Sequence, residues 1–530
     1  MDNDLFGYAV AAVIALTVAV FLRQRGWGIA LPLIFAGAVI GAAPIGPTAP
    51  PNPEAILIAI LAPLVFGEAL GSSYLDLRKV SRPVLALAIG LVLAATAAVG
   101  GVVSMVVAMP IAVAFALGAI LAPTDAVAVS QMAKRASVPR RLISVLEGES
   151  LVNDGTGLTA LRVAVMAVVV GSVTLLEVAG MFAVAVTVGI VVGAIFGWAM
   201  SWVLRNSRDL VAANSLIVIA PFLIYLLAER FEGSGILAVV VAALWVANSQ
   251  HSDPGWSGRL QGTTVWKHLT FILQVAAFFL IGLELPVVLG RLDSDETSIV
   301  LILVPLVLVT LILTRALFVA AMVAIVRLKD RTSRGKQTPE NLGKESAIVA
   351  WAGARGPVSG LAAFSLPLFT ASGQAFPYRD VILATTFVII VISLFLSLTV
   401  GPFAKLLGVR GDDDAALTRD MDASLARAAL ERLDAAIEEA ERDGNPISPR
   451  IVEKLQHDAE LRIDRATRHE DASPTQEIAT QQMFVLARAM VQAEQEELLR
   501  LRDEEGLPDA IVRPALRNLD LKLQALETGH

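Results

Sequence analysis

Long apolar runs constrain the fold of this chain more than any other feature. Each approaches the roughly 20 residues that a helix needs to cross about 30 Å of hydrocarbon. Hydrophobic residues make up 55% of the 530 residues and charged residues only 17%. The sequence therefore predicts an all-α polytopic membrane protein. It contains no cysteine, which excludes disulfides, thiolate metal sites and cysteine nucleophiles.

Turns and charged clusters divide the first 410 residues into about thirteen predicted transmembrane spans. These are 5–22, 28–46, 54–73, 83–107, 111–133, 143–170, 175–204, 210–228, 234–250, 268–289, 298–326, 345–369 and 380–407. Basic clusters fall on alternate loops: Arg23/Arg25, Arg78/Lys79/Arg82, Lys134/Arg135/Arg140/Arg141, Arg205/Arg208, Arg259/Lys267 and Arg327 to Lys344. By the positive-inside rule the basic side is cytoplasmic. We therefore expect a multi-pass cell-membrane protein with its N-terminus outside and its C-terminus inside.

With thirteen spans, the first six and the last six form two halves of opposite orientation, about residues 5–170 and 210–407. Transporters built from such inverted repeats bind their substrate near the midplane, on helices interrupted by Gly or Pro at corresponding positions. The fifth span contains LAPTDAVAV (Leu121–Val129), and the twelfth contains WAGARGPVSG (Trp351–Gly360). Each has a proline mid-span beside a charged residue. The sequence thus predicts two broken helices, in spans 5 and 12.

The last 120 residues differ in composition from the rest. Residues 411–530 hold 27 acidic and 15 basic residues, which leaves 22 acidic and 27 basic residues before them. Apolar residues recur at helical spacing from Leu417 to Ile437, a break follows at Gly444-Asn445-Pro446, and Ser473 with Gln476 forms a capping box. We therefore divide the chain into a transmembrane domain, 1–410, and a soluble helical cytoplasmic tail, 411–530, with a regulatory role.

Acidic residues inside predicted spans mark the candidate site. An ionisable residue in hydrocarbon is costly and usually faces a cavity, a partner or an ion path. Asp125 follows Pro123 and Thr124, and the proline frees backbone carbonyls, so the segment offers the oxygen ligands that a hard cation prefers. Asp125 could instead cap a half-helix. Asp154 could bind ions or form a structural ion pair with Arg162 or another base.

Three further charges inside spans need partners or solvent. We expect Glu149 to pair with Arg315, because an unpaired buried charge costs several kcal/mol. Arg355 lies where two half-helix ends meet and is expected to neutralise their dipoles; binding of a substrate anion is the alternative. Glu68 either lines an ion path or is solvated near the membrane surface. The five histidines lie in loops, at a span edge or in the tail, so proton chemistry must use carboxylates.

Four motifs resemble the monovalent cation/proton antiporter family, which includes bacterial NhaP-type Na⁺/H⁺ antiporters and animal sodium/proton exchangers. They are PTDAVAV (123–129), GESLVNDGTGL (148–158), FFLIGLEL (278–285) and GARGPVSGLA (353–362). The resemblance implies a homodimer active in pH homeostasis. It also implies an elevator-like movement of a core domain and electroneutral exchange.

The same resemblance implies roles for individual residues. Asp125 and Asp154 bind the cation, Thr124 and Ser150 contribute oxygens, and Asn153 steadies the unwound helix. Two positions depart from the family pattern. The motif Asp is often followed by Pro, but here Ala126 follows it; many relatives have Glu directly after Phe in span 3, but here Gly67 separates Phe66 from Glu68.

These observations predict a secondary transporter and not an enzyme. It exchanges Na⁺, or alternatively Li⁺ or K⁺, for protons, and the cation binds at Asp125, Asp154, Thr124 and Ser150. A cation channel and an ion-sensing receptor are the rival classes. No nucleotide-binding signature is present, so primary pumping is unsupported. We expect no cofactor and no nucleic-acid partner.

Overall fold

The computed structural model of the chain is helical throughout the part that it describes, apart from turns and one isolated bridge between Phe369 and Ala375. The described residues are 2–43, 53–125, 138–170, 174–207, 209–250, 256–332, 341–370, 372–409, 414–442, 447–467 and 474–505, with 512, 515–516 and 518–523. The chain folds as two compact units, Met1–Asp412 and Asp413–His530.

The described residues of the first unit form the following helices in chain order. They are α1 (Asp2–Gln24), α2 (Ala30–Gly41), α3 (Pro53–Leu70), α4 (Tyr74–Lys79), α5 (Ser81–Leu85), α6 (Val92–Val106), α7 (Ile111–Leu121), α8 (Arg140–Val170), α9 (Leu175–Asn206), α10 (Leu210–Arg230), α11 (Gly235–Gln250), α12 (Trp256–Arg291), α13 (Ser294–Thr332), α14 (Leu342–Trp351), α15 (Pro357–Phe364), α16 (Arg379–Ser397) and α17 (Val400–Leu406). A π-helical turn, Ala86–Leu91, joins α5 to α6.

Each predicted span overlaps a helix or a pair of helices, but the lengths differ. Among the described residues, seven helical segments are long and apolar enough to cross a membrane. They are Gly7–Gln24, Ser81–Val106, Arg140–Val169, Leu176–Asn206, Thr264–Arg291, Ser294–Leu328 and Arg379–Leu406. Four apolar helices are shorter; α2 has only 12 residues where the sequence predicted 28–46. The chain is therefore a multi-pass membrane protein, and the number thirteen stays a prediction.

Two predicted spans are broken in the structure. The helix of span 5 ends at Leu121, and Pro123–Asp125 is not helical. Span 12 divides into α14 and α15, separated by the non-helical residues 352–356. Ala126 and the basic pair Lys134/Arg135 lie outside the described residues.

Buried apolar side chains form separate clusters in the first unit. The largest joins α7, α12 and α16 with their neighbours, and a second joins α3, α10 and α11. Many large apolar side chains point outward, among them Phe35, Trp198, Trp202 and Leu317, each 60–72% exposed. Outward-facing apolar residues are expected where the solvent is lipid.

The second unit consists of three long helices, α18 (Asp414–Arg442), α19 (Pro449–Thr467) and α20 (Pro474–Glu505), with further helical residues near 520. α18 packs against α19, and Lys522 pairs with Glu494 on α20. The predicted break at Gly444–Pro446 and the capping residue Ser473 lie outside the described residues.

Candidate functional site

The two broken spans meet at their non-helical segments. The backbone N–H of Asp125 donates to the carbonyl of Ala354 at 2.8 Å. Pro123 has no N–H with which to continue the hydrogen bonds of α7 beyond Ala122, and Pro357 occupies the first turn of α15, where its missing N–H costs nothing. The two unwound segments therefore lie side by side, and a backbone hydrogen bond joins them.

Arg355 bridges the ends of these half-helices. Its side chain is 4% exposed, and Nε donates to the carbonyl of Leu121, the last residue of α7, at 3.1 Å. The guanidinium also donates to the carbonyl of Gly353, just beyond α14. A helix C-terminus carries about half a negative charge, so two such ends offset most of the arginine charge. The geometry favours dipole neutralisation over the binding of a substrate anion.

Glu149 and Arg315 form the buried ion pair that the sequence predicted. Arg315 Nη1 and Nη2 donate to Glu149 Oε1 and Oε2 at 2.5 and 2.9 Å, and the side chains of Arg315 and Glu149 are 3% and 2% exposed, respectively. Arg315 Nε also donates to the carbonyl of Val349 at 2.9 Å. Both charges are therefore compensated.

Thr124 and Asn153 connect this pair to the unwound segment. Thr124 Oγ1 donates to Glu149 Oε1 at 2.9 Å, while Asn153 Nδ2 donates to the Thr124 carbonyl at 3.0 Å and to its hydroxyl at 3.2 Å. The segment before Asp125 is thus held from α8 by an amide and a carboxylate.

A small cavity of about 10 Å³ lies beside the unwound segments. Its lining residues are Glu68, Pro123, Thr124, Asp125, Ser150, Asp154, Gly356, Pro357, Val358 and Ser359. A cavity of this size holds about one water-sized particle. All four predicted cation ligands contribute to its wall, and so does Glu68.

Three carboxylates share this cavity without a basic residue in its lining. Asp154 is 5% exposed, and the negative charges of Glu68 and Asp125 repel its own. Like charges that share one small cavity of low dielectric constant repel one another, and the repulsion falls when a proton or a cation joins them. The arrangement suits competition between protons and a single small cation. No group of three or more His, Cys, Asp or Glu in the described part of the chain has the geometry of a resident metal site.

Arg162 does not pair with Asp154, which was the structural alternative for that carboxylate. Its guanidinium binds the Glu229 carboxylate at the end of α10 and donates to the Gly233 carbonyl at 3.2 Å. Glu229 Oε1 accepts a further hydrogen bond from the N–H of Gly235 at 3.1 Å. This partner escaped the sequence analysis because Glu229 lies at a predicted span end, where a solvated acid would need no explanation.

Two glycines permit the close approach of the chain segments. A Cβ on Gly356 would overlap the Asp125 side chain, and one on Gly157 would lie 3.0 Å from Pro123 Cδ and closer still to its Cγ. Any larger residue at either position would displace the unwound segment.

Two polar residues at the site were missed from the sequence. Ser359 lines the cavity, and Gln274 Nε2 donates to Glu68 Oε1 at 3.3 Å. Gln274 is the one amide in the apolar stretch Leu269–Leu285, and that isolation was the available signal.

Comparison with known proteins gives a consistent result. Residues 9–406 match the family described as "Sodium/hydrogen exchanger, transmembrane". A sodium, potassium, lithium and rubidium/H⁺ antiporter of Bacillus pumilus is 30% identical over 90% of this chain and 72% of its own length. An uncharacterized Na⁺/H⁺ exchanger of Escherichia coli, YjcE, is 28% identical over 98% of both chains. The solved structure of the sodium proton antiporter MjNhaP1 from Methanocaldococcus jannaschii covers 76% of this chain and 98% of its own, with a TM-score of 0.60 and 19% identity, and so supports the fold.

Proposed function

This chain belongs to the sodium/hydrogen exchanger family, and from that premise we propose that it exchanges Na⁺ for protons at the cavity formed by Asp125 and Asp154. Membership confirms the resemblance drawn from the four motifs, and cation/proton antiport across the cell membrane follows from it. The choice of Na⁺, the binding residues and the mechanism are our proposals.

The observation that carries the proposal is the cavity of about 10 Å³ with three carboxylates and no base. In one half-cycle Na⁺ binds to the carboxylates of Asp154 and Asp125, with Ser150 and Thr124 as neutral oxygen ligands. In the other, one proton replaces the Na⁺, so that one positive charge crosses in each direction. Because removal from water disfavours the bare anions, the site crosses the membrane only when loaded with one or the other. That restriction makes exchange obligatory.

The proposed movement is of the elevator type, within a homodimer, and the exchange is electroneutral. The two broken spans correspond in position within the proposed inverted repeats, residues 5–170 and 210–407 of about thirteen spans. The backbone hydrogen bond between Asp125 and Ala354 supports a movement in which both unwound segments travel together.

The proposed topology has the N-terminus outside and the tail, residues 411–530, in the cytoplasm.

Asp154→Asn tests the proposal, since asparagine keeps size and hydrogen bonding but offers only a neutral state. In vesicles with an internal pH dye, Na⁺-driven proton flux should vanish at every pH, while expression and melting temperature stay near wild type. Asp125→Asn should behave alike, and Ser150→Ala should mainly raise the apparent KM for Na⁺, because water can replace one neutral oxygen. Wild-type exchange by folded Asp154→Asn protein would reduce Asp154 to a structural role.

Asp76→Asn is a matched control outside the membrane-spanning segments. The Asp76 carboxylate accepts hydrogen bonds from Lys79 and Ser73, which lower its pKa, so it remains ionised throughout the tested range. It is half exposed and is not among the residues that line the cavity, and its replacement should leave flux unchanged.

A wider cation range is the second candidate, because the Bacillus pumilus relative is named for four alkali cations. Adding Na⁺, Li⁺, K⁺ and Rb⁺ in turn to the same vesicles separates the two. The assay also tests the rival classes: a channel would give unsaturable cation current without coupled protons, and a sensor would give no flux from the purified protein.

A further inference from the structure

Glu68 stands one residue later in α3 than the Phe-Glu pattern would place it, and packing against α12 accounts for this. The rings of Phe66 and Trp266 lie 4.9 Å apart between centroids. A Cβ on Gly67 would lie 3.0 Å from Trp266 Cε3 and closer still to Thr270 Oγ1. A larger residue at position 67 would displace Thr270 or Trp266, and the carboxylate that lines the cavity is carried by the next residue.

Gln274 meets this displaced carboxylate from α12. It lies one helical turn beyond Thr270, on the same face of the helix that presses on Gly67. Its amide Nε2 is 3.3 Å from Glu68 Oε1, and both side chains are partly buried. Among the described residues, this is the one hydrogen bond given to the Glu68 carboxylate.

The charges around Glu68 explain why an amide is suitable. The titratable groups that face Glu68 are Asp125 and Asp154. No charged side chain in the cavity lining comes from the other helices that contact α3, which are α10, α11, α12 and α15. A basic residue at position 274 would neutralise the charge that attracts the cation. A neutral amide orients the carboxylate, and it can donate to the same oxygen whether Glu68 is ionised or protonated.

We propose that Gln274 is a positioning residue that holds Glu68 against the cavity in both half-cycles, and that cation affinity depends on it. The proposal rests on the exchange function argued above and deepens it. The competing interpretation is a structural one, in which the amide merely joins α3 to α12.

Gln274→Met tests the proposal, because methionine has nearly the same shape without a donor. Hydrogen bonds to charged groups are strong enough that the apparent KM for Na⁺ should rise on the order of tenfold. The maximal rate should stay within about twofold, because Asp125 and Asp154 are intact. The pH profile should shift, because the amide no longer donates to Glu68. Ile272→Ala, at a lipid-facing position on the same helix, is the matched control and should match wild type.

The double variant distinguishes positioning from structure. In a Glu68→Gln background, Gln274→Met should have no further effect on KM or on the pH profile, because the carboxylate it positions is gone. An unchanged KM and pH profile in Gln274→Met, or an equal effect in both backgrounds, would overturn the proposal.

A binding-independent measurement separates this failure from failure of the exchange function. The difference in melting temperature between wild type and Gln274→Met should vary with pH and should vanish in the Glu68→Gln background. If the wild-type protein showed no Na⁺/H⁺ exchange in vesicles, the proposed function would be rejected. If the difference in melting temperature between wild type and Gln274→Met did not depend on pH, the role of Gln274 would be rejected.

Discussion

At the residue scale, the protein treats its buried charges in two opposite ways. Glu149 and Arg315 compensate each other through two hydrogen bonds, and Arg355 is compensated by helix ends. Asp125 and Asp154 instead share a cavity with a third acid and no base in its lining. The compensated charges hold the structure, and we propose that the acids of the cavity attract an ion or a proton.

The Glu149–Arg315 pair should therefore matter for stability through mutual dependence. Glu149→Gln or Arg315→Met alone strands the other charge and should cost about 3–5 kcal/mol of unfolding free energy. The double variant should lose less than the sum of the two. A double-mutant cycle from melting curves in detergent measures the coupling. Additive losses would show that the pair contributes nothing beyond its separate side chains.

At the element scale, glycines decide how closely helices approach. Gly189, Gly193 and Gly197 recur every four residues on α9 and face α11. A Cβ on Gly189 would lie 2.9 Å from the Ser234 carbonyl, and one on Gly193 would lie 2.8 Å from Val241 Cβ. Small residues at this spacing let helix backbones pack closely in lipid, where dispersion rather than hydrophobic burial holds helices together.

Gly193→Ala should separate α9 from α11 and destabilise the protein by about 1–3 kcal/mol, the usual cost of overpacking. Gly180→Ala is the matched control on the same helix, since nothing lies within 4 Å of its Cβ position. Alanine favours helix by up to about 1 kcal/mol over glycine, so the control should be neutral or stabilising. Thermal unfolding of both variants measures the difference; equal melting temperatures would contradict the packing argument.

At the scale of the whole molecule, the chain divides into two units next to Asp412. Every carboxylate in the cavity lining belongs to the first unit. The second unit carries the excess of acidic residues on long helices whose charged side chains are mostly exposed. This separation is the basis for our proposal that the tail regulates exchange rather than taking part in transport.

Removal of the tail should accordingly leave exchange intact. A chain ending near Arg410 should still couple Na⁺ to protons in vesicles, with an altered rate or pH dependence. Flux measured across a pH series, at equal amounts of inserted protein, tests this. Complete loss of exchange in a stable, inserted truncation would mean that the tail takes part in transport.

Most of the fold could be predicted from the sequence because it depends on local properties. An apolar run of sufficient length must become a helix in lipid. The breaks at Pro123 and before Pro357 were predictable because the two prolines lie at corresponding positions of the two predicted repeats, whereas other prolines, Pro63, Pro221, Pro286 and Pro305, lie inside continuous helices. The Glu149–Arg315 pair was predictable for a different reason: few bases lie inside apolar spans, and an unpaired charge there is too costly.

The partners of Arg162 and Glu68 were decided only by the tertiary structure. Which face of a helix meets which neighbour depends on rotation and tilt, and these are set by close contacts such as Gly67 against Thr270. That contact brings Gln274 to Glu68, and the turn after α10 brings Glu229 to Arg162. The sequence by itself thus determined the helices, their breaks and the charged residues; the packing of helix on helix decided which acids face the cavity, because hydrophobic length is local and contact is not.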